Sequence, residues 1–146
     1  MPRFAPYGYA FRREIRDVPI GFLASVAQLN LVLSTAIDFA FELVAVRLVT
    51  TVVGTGAGAT RLINIRKGSA TGTIVGSVTA TLANQGVLGV VTTGSVITTS
   101  RTNFFNDLLT VPDTLTIEFP AAASVVFATG GLDLVLTVRA LAQRAA

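Results

Sequence analysis

The sequence predicts an all-β fold, namely an antiparallel β-sandwich or jelly roll with an extended N-terminal arm. Apolar and polar residues alternate with a period of two in several short segments, as expected for half-buried strands. Turn-forming residues separate these segments at intervals of roughly 8–12 residues, which is typical of sandwiches and barrels. A chain of 146 residues suits one domain with its own core. We therefore predict an arm over residues 1–17 and a sandwich domain over residues 18–146.

Each strand is predicted from its local pattern. Residues 43–53 are rich in β-branched side chains and end at the glycine loop that begins with Gly54. Pro120 ends another strand, and the Gly130-Gly131 pair precedes the last one as a turn. The predicted strands cover residues 28–33, 39–43, 43–53, 62–65, 73–82, 87–99, 115–119 and 134–139. Residues 101–107 form a loop or a single helical turn, and residues 24–33 and 141–146 are the two segments where a helix is an alternative.

The composition indicates self-association. Hydrophobic residues make up 51% of the chain and charged residues only 13%, whereas a typical soluble domain is roughly 25% charged. So few charges cannot cover the surface of a compact monomer. Exposed threonine, together with burial of apolar surface against other chains, must account for the rest of that surface.

The formal net charge of +3 lies in the first sixteen residues, where four arginines outnumber Glu14. Residues 17–146 carry seven basic and seven acidic groups. The same short segment also contains four aromatic residues. Tyrosine and arginine dominate the energetics of many protein interfaces, and we predict that this segment binds a partner or a neighbouring subunit. The predicted partner-binding residues are Arg3, Phe4, Tyr7, Tyr9, Phe11, Arg12, Arg13 and Arg16.

The arm is expected to be extended, because Pro2, Pro6 and Gly8 disfavour a regular helix. The alternative is that its aromatic side chains fold back on the body of their own chain.

Several segments match chemical motifs, but each fits a structural role better, and we predict no catalytic residue, cofactor or metal. Gly54 to Ala59 fits a dinucleotide-binding pattern, but a strand-like segment follows where that motif requires a helix. The chain has no histidine or cysteine, so Lys67 beside Ser69 is the one candidate for base-assisted nucleophilic catalysis. A hard-metal site from Asn106, Asp107 and Asp113 is the third alternative, against a turn or capping role for the same residues.

Two further alternatives concern membranes and nucleic acids. Residues 18–37 carry no charge, but polar residues and Pro19 interrupt them too often for a membrane span. Ser25-Val26-Ala27 resembles a signal-peptide cleavage site, although acidic residues dilute the basic start before it. A nucleic-acid-binding protein would carry a broader basic patch than one arm. We therefore predict neither a membrane nor a nucleic acid as partner.

From about Phe39 onward, the chain resembles the small β-sandwich decoration, or cement, proteins of tailed bacteriophage capsids. The similarity lies in the long strand over residues 43–53, the Gly/Ala loop, the Ser/Thr/Val-rich middle over residues 67–100 and the closing strand after Gly130. The similarity is one of composition and strand pattern, and no single sequence motif supports it. It implies a homotrimer on the outside of the capsid that grips the shell with a terminal arm.

The resulting prediction is a structural virion protein whose partners are the major capsid protein and further copies of itself. It would sit on the capsid exterior and stabilise the shell. The alternatives are a tail, neck or fibre component, and a carbohydrate- or cell-surface-binding β module.

Overall fold

The computed structural model describes residues 15–23, 29–32, 39–55, 60–69, 71–81, 87–108, 113–119 and 129–141. These residues form ten β-strands and one turn of 3-10 helix over Thr99–Arg101. The strands are β1 Ile15–Leu23, β2 Leu29–Val32, β3 Phe41–Thr55, β4 Thr60–Lys67, β5 Thr73–Thr81, β6 Val91–Thr93, β7 Ser95–Val96, β8 Phe104–Phe105, β9 Leu115–Phe119 and β10 Thr129–Ala140. Every pairing between them is antiparallel. The all-β antiparallel prediction is confirmed.

The strands form two sheets. The first has the order β1-β10-β3-β6, with β8 also paired to β3, and the second has the order β2-β9-β4-β5-β7. The pairings are nested along the chain, because β1 pairs with β10, β2 with β9, β3 with β6 and β4 with β5. The first half of the domain is thus matched to the second half in reverse order.

One hydrophobic core joins the two sheets. Alternate residues of the central strands are fully buried, as the period of two requires. The core cluster consists of Phe41, Leu43, Val46, Leu48, Ile63, Ile65, Val75, Val78, Ala80, Phe105, Leu115, Ile117, Leu132, Leu134, Leu136 and Val138. Gly76 of the second sheet faces Leu43 and Val46 of the first, and an added Cβ atom would lie 3.3 Å from the Val46 side chain and 3.1 Å from the Ser95 carbonyl oxygen, which is tighter than ordinary packing.

A β-bulge in β3 changes which residues point inward. Val138 of β10 pairs with Leu43 and Thr137 with Ala45, so Val44 is the extra residue. The buried positions therefore continue as Val46 and Leu48 instead of the odd-numbered residues after Leu43.

The strand predicted over residues 87–99 is not a single strand. Its first part is β6 in the first sheet and its second part is β7 in the second sheet. Gly94 lies between them, where a Cβ atom would collide with the carbonyl oxygen of Ser77 and the side chain of Val78. The chain therefore changes sheets at a position that has no room for a side chain.

The N-terminal boundary falls inside a strand. Residues 15–17, which the sequence assigns to the arm, belong to β1, and β1 pairs with β10 from Ile15 to Leu23. Residues 1–14 lie outside the described residues. Of the two possible helical segments, residues 29–32 are strand β2, and residues 24–28, 33 and 142–146 lie outside the described part. The Gly130-Gly131 pair is not a turn but part of β10.

Candidate functional site

The body has two ends that differ in chemistry. Strand β3 runs from Phe41 to Thr55, and these residues name the Phe41 end and the Thr55 end used below. Strand β10 runs the opposite way, from Thr129 beside Thr55 to Ala140 beside Phe41. In the second sheet, Lys67 lies at the Phe41 end, since its ammonium donates a hydrogen bond to the carbonyl oxygen of Phe104 in β8.

Both chain termini leave the body at the Phe41 end. Ile15 at the start of β1 pairs with Arg139, one residue before β10 ends. Residues 1–14 and 142–146 together contain four arginines and Glu14, whereas residues 15–141 contain seven basic and seven acidic residues. The antiparallel β1–β10 pair therefore attaches the entire formal net charge of +3 to one end of a neutral body.

Arg16 is the predicted partner-binding residue that the structure describes. It lies on β1 opposite Val138 and is exposed to solvent. Its guanidinium carbon is 5.3 Å from the centroid of the Phe39 ring, within the range of a cation–π contact. The other seven predicted residues, Arg3, Phe4, Tyr7, Tyr9, Phe11, Arg12 and Arg13, lie outside the described residues.

A row of phenylalanines continues from Arg16 into the core. The rings of Phe39 and Phe41 are 6.2 Å apart in an edge-to-face arrangement, and those of Phe41 and Phe105 are stacked at 4.9 Å. The Lys67 ammonium lies 5.6 Å from the Phe105 ring centroid. A cation thus contacts each end of a three-ring row, which fixes the start of β1 and β3 to the second sheet.

Lys67 is engaged by groups other than Ser69. Its Nζ atom donates to the Phe104 carbonyl oxygen at 2.5 Å and lies 3.4 Å from a carboxylate oxygen of Asp113. The Ser69 hydroxyl lies 3.1 Å from that of Thr71. The Lys67–Ser69 pairing considered for catalysis is therefore not formed in this structure.

Asn106 and Asp113 brace a turn. The Asn106 backbone N–H donates to the Asp113 carboxylate at 2.8 Å, and the Asp113 N–H donates to the Asn106 side-chain oxygen at 2.8 Å. Asp107 pairs instead with Arg101 at 3.3 Å. These contacts favour the turn role over the metal role, and no group of three metal-binding residues occurs in the described part of the chain.

Residues on both sides of β8 have unusual backbone conformations. Ser100, Arg101 and Asn106 have φ angles of 54°, 58° and 53°, a region that residues other than glycine seldom occupy. The Arg101 guanidinium stacks 4.3 Å from the centroid of Phe104. Such strain persists only where surrounding contacts over-determine the loop.

Asn103 connects the loop before β8 to β3, although nothing in the sequence predicts this role. Its side chain is fully buried, and its amide donates to the Leu43 carbonyl oxygen at 2.9 Å. The Leu43 N–H in turn donates to the Asn103 carbonyl oxygen at 2.8 Å. No local pattern marks this residue, because its partner is 60 positions away in the chain.

The outer face of the first sheet carries an exposed ionic cluster. Asp17 accepts hydrogen bonds from Thr137 at 2.6 Å and from Arg47 at 2.9 Å. The Thr137 hydroxyl, followed by the Arg47 guanidinium, holds the pKa of Asp17 below its ordinary value. The cluster joins β1, the strand that follows the predicted arm, to β3 across β10.

The outer face of the second sheet carries a more buried cluster. Glu118 accepts hydrogen bonds from Asn64 at 3.0 Å and from Arg66 at 2.7 Å. Burial is the largest single influence on Glu118 and opposes its ionisation, but the hydrogen bonds from Asn64 and Arg66 together outweigh it, so its pKa lies below the ordinary value. Arg66 also donates to the Gly72 carbonyl oxygen at 2.5 Å, which fixes the β4–β5 turn.

The glycine loop does not lead into a helix. Gly54 and Thr55 complete β3, and the next described residues, from Thr60, are strand β4. A dinucleotide site of the kind considered in the sequence analysis needs a helix N-terminus there to hold the pyrophosphate. The strand that the sequence predicts after this loop is β4.

The Thr55 end exposes apolar side chains. Backbone hydrogen bonds from Gly89 to Thr50 and from Thr50 to Val90 place the turn before β6 beside Thr50, five residues before the end of β3. Five apolar side chains in the second half of β3, in this turn and at the start of β6 are each between 40% and 60% exposed. They are Val52, Val53, Val87, Leu88 and Val91.

The uncharged segment over residues 18–37 includes most of β1 and all of β2. No helix of sufficient length and hydrophobicity to cross a membrane occurs among the residues described.

Comparison with known proteins gave no match to this chain from a protein-family model, a curated protein or a solved structure.

Proposed function

We propose that this chain is a capsid decoration, or cement, protein that binds the outer surface of a virus shell and stabilises it. The observation that carries the proposal is the separation of charge from the body. The net charge resides in two terminal segments that leave the same end, while five ion pairs join described charges within the body. This separation supports a folded body that carries a charged, partner-binding terminal segment.

Within the all-β class, the strand order supports a jelly-roll sandwich. In a jelly roll, a long antiparallel hairpin is wrapped so that its two arms pair in reverse order across two sheets. The nested pairings of β1 with β10, β2 with β9, β3 with β6 and β4 with β5 follow this scheme. Viral coat proteins use this architecture, and so do lectins and cupins, so the proposal rests on the charge arrangement and not on the fold alone.

The terminal segment would supply the binding energy. Residues 1–14 include three arginines and four aromatic residues, the types that most often act as interface anchors. Arginine forms bidentate contacts with carboxylates. We therefore propose acidic groups of the major capsid protein as the partners of Arg3, Arg12 and Arg13.

The body would act as a mechanical anchor for this segment. Residues 1–14 join the body at Ile15, where β1 begins, and nine residue pairs hold β1 to β10. The Asp17–Arg47–Thr137 cluster ties β1 to the next strand but one. These contacts would transmit a load on the bound segment into the first sheet.

The test is deletion of residues 1–14, with the chain starting at Ile15. The cut spares β1 and the Asp17 cluster, so the circular-dichroism spectrum of the strands should be unchanged. Co-sedimentation with capsids that lack the protein should be lost. Binding of the truncated chain at full occupancy would contradict the proposal.

A matched pair of charge variants refines the test. The double variant Arg12→Gln/Arg13→Gln removes charges from the N-terminal segment, and Arg144→Gln removes one from the C-terminal segment at the same end. We expect the first to weaken capsid binding and reduce its salt dependence, since those contacts are ionic. The second should have a smaller effect, because the C-terminal segment lacks aromatic anchors.

A further inference from the structure

We infer that Pro19 prevents the free edge of β1 from pairing with the same edge of a second copy, so that the first sheet ends at β1. The inference concerns the body of the chain and does not depend on the capsid role proposed above. It follows from the place of β1 in the sheet and from the direction in which its backbone groups point.

β1 is the longest of the described strands that end a sheet. The first sheet ends at β1 on one side and at β6 and β8 on the other, and the second sheet ends at β2 and β7. Those other four strands have two to four residues each, whereas β1 has nine. Unpaired N–H and C=O groups along a long edge are a template for pairing with another chain, and very short edge strands avoid this. β1 is therefore the edge that needs another form of protection.

Hydrogen bonds of β3 show which of its residues face β10. The Val46 carbonyl oxygen accepts a hydrogen bond from the Gly94 N–H, and the Thr50 N–H donates one to the Val90 carbonyl oxygen. The backbone groups of these even-numbered residues thus point toward the β6 side. Because backbone groups alternate in direction along an antiparallel strand, those of Arg47 point toward β10.

The same alternation fixes the direction of the Pro19 nitrogen. Arg47 pairs with Val135 of β10, so the backbone groups of Val135 point toward β3 and away from β1. Pro19 lies opposite Val135 in an unbroken register, and the two form a pair without hydrogen bonds between them. The Pro19 nitrogen therefore faces the free edge, which is where a strand tolerates a residue that has no N–H.

An incoming strand would meet a gap at the centre of this edge. Pro19 is the middle residue of β1 and is exposed to solvent. Its ring occupies the place of the missing hydrogen, so a neighbouring strand would lose a hydrogen bond and be held away at that point. Asp17 carries a charge two residues from the gap, and charged side chains on an edge also disfavour pairing.

A second copy is the partner that this edge would otherwise fit. Antiparallel pairing of two β1 strands about Pro19 is symmetric, because each copy would present the same residues to the other. It would join the first sheets of two copies into one continuous sheet. It would also cover the edge at Ile15, where residues 1–14 join the body. An unpaired edge leaves this junction accessible.

Pro19→Thr tests the inference in the full-length protein without capsids. Threonine restores the backbone donor and suits a strand. In sedimentation velocity, the variant should form assemblies larger than those of the wild type at concentrations at least ~10-fold lower, because each copy regains one donor. Identical sedimentation of the two proteins at every concentration would overturn the inference.

The matched control moves the proline along the same edge. The N–H of residue 21 also points toward the free edge, since it lies two positions after Pro19. Pro19→Thr/Gly21→Pro should therefore sediment as the wild type does. Circular dichroism checks that both variants keep their strands. A folded double variant that still forms the larger assemblies would show that the missing donor does not protect the edge.

Hydrogen exchange followed by NMR gives a measurement that does not need the double variant. In the wild type, the Asp17 and Gly21 amides should exchange quickly and the Val18 and Ile20 amides slowly, since only the latter two point toward β10. In the assemblies of Pro19→Thr, the Asp17 and Gly21 amides should become protected. Slow exchange of these two amides in the wild type would mean that the edge is already paired, and would overturn the inference. Capsid binding is measured separately, so either proposal can fail alone.

Discussion

The Phe41 end and the Thr55 end of the body are built on different principles. At the Phe41 end, a stack of aromatic rings, two cation–π contacts and a set of side-chain-to-backbone hydrogen bonds hold loops in strained conformations. At the Thr55 end, apolar side chains face solvent and the connecting segments carry no charge. At the first end, internal hydrogen bonds join many polar groups, although the buried Asn103 Oδ1 has no partner among the described residues, whereas the second end exposes apolar side chains.

This difference predicts different effects on stability. Loss of an internal contact at the Phe41 end should lower the free energy of unfolding of each chain. A change of an exposed apolar side chain toward the Thr55 end should leave that free energy nearly unaltered. The following predictions test this difference, in order of decreasing effect on stability.

Phe105→Ala should be the most destabilising of these changes. The ring is fully buried, stacks on Phe41 and contacts Lys67. Its removal should lower the free energy of unfolding by about 3–5 kcal/mol, measured by urea denaturation. Phe104→Ala is the matched control, since the neighbouring ring is only half-buried, and its cost should be clearly smaller. Equal costs for the two variants would contradict the described packing.

Asn103→Ala should destabilise the protein by about 1–3 kcal/mol, because the buried Leu43 carbonyl oxygen would lose its side-chain donor. Urea denaturation measures the change. Asn103→Asp should cost more, since the new carboxylate would face Glu42, whose Oε1 lies 3.4 Å from the present amide nitrogen. If Asn103→Asp were as stable as the wild type, the assigned hydrogen bonds would be wrong.

Glu118→Gln should change how stability depends on pH. Because the folded-state pKa of Glu118 is lowered, its ionisation stabilises the fold above the ordinary glutamate pKa of about 4.3, and this contribution is lost as pH falls through the folded-state value. Denaturation series between pH 7 and pH 3 should show a shallower acid loss for Glu118→Gln than for the wild type.

Asp17→Asn is the control for that series. The pKa of Asp17 is also lowered, so the sign is the same, but its side chain is 54% exposed whereas that of Glu118 is 15% exposed. Solvent and salt screen the exposed pair more strongly. A larger pH effect for Asp17→Asn than for Glu118→Gln would show that the first sheet, and not the second, carries the stronger ionic cluster.

Leu88→Ala should have the smallest effect on the stability of a single chain. The side chain is 60% exposed at the Thr55 end, and substitutions at such sites usually change the free energy of unfolding by less than about 0.5 kcal/mol. Denaturation at a concentration where the protein is dissociated measures this value. A loss of free energy of unfolding as large as that of Asn103→Ala would contradict the expected difference between the two ends.

The sequence predicted most of the strands but not how they are joined. Alternation identified β2, β9 and the second half of β10, and β-branched residues identified most of β3, whereas β1 was not predicted. The split of residues 91–96 between two sheets at Gly94 was missed, because the constraint is the Ser77 carbonyl oxygen on another strand. The buried role of Asn103 was missed for the same reason, since its partner Leu43 is distant in the chain.

The sequence alone determined that the chain is all-β and that its net charge lies apart from a neutral body. Both follow from local pattern and composition. Only the tertiary structure decided that Ile15 and Leu141, the two ends of the described body, both lie at the Phe41 end. That arrangement depends on the antiparallel pairing of β1 with β10, which joins residues more than a hundred positions apart. Local patterns cannot specify such a pairing, because it is selected by burial of a core shared between both sheets.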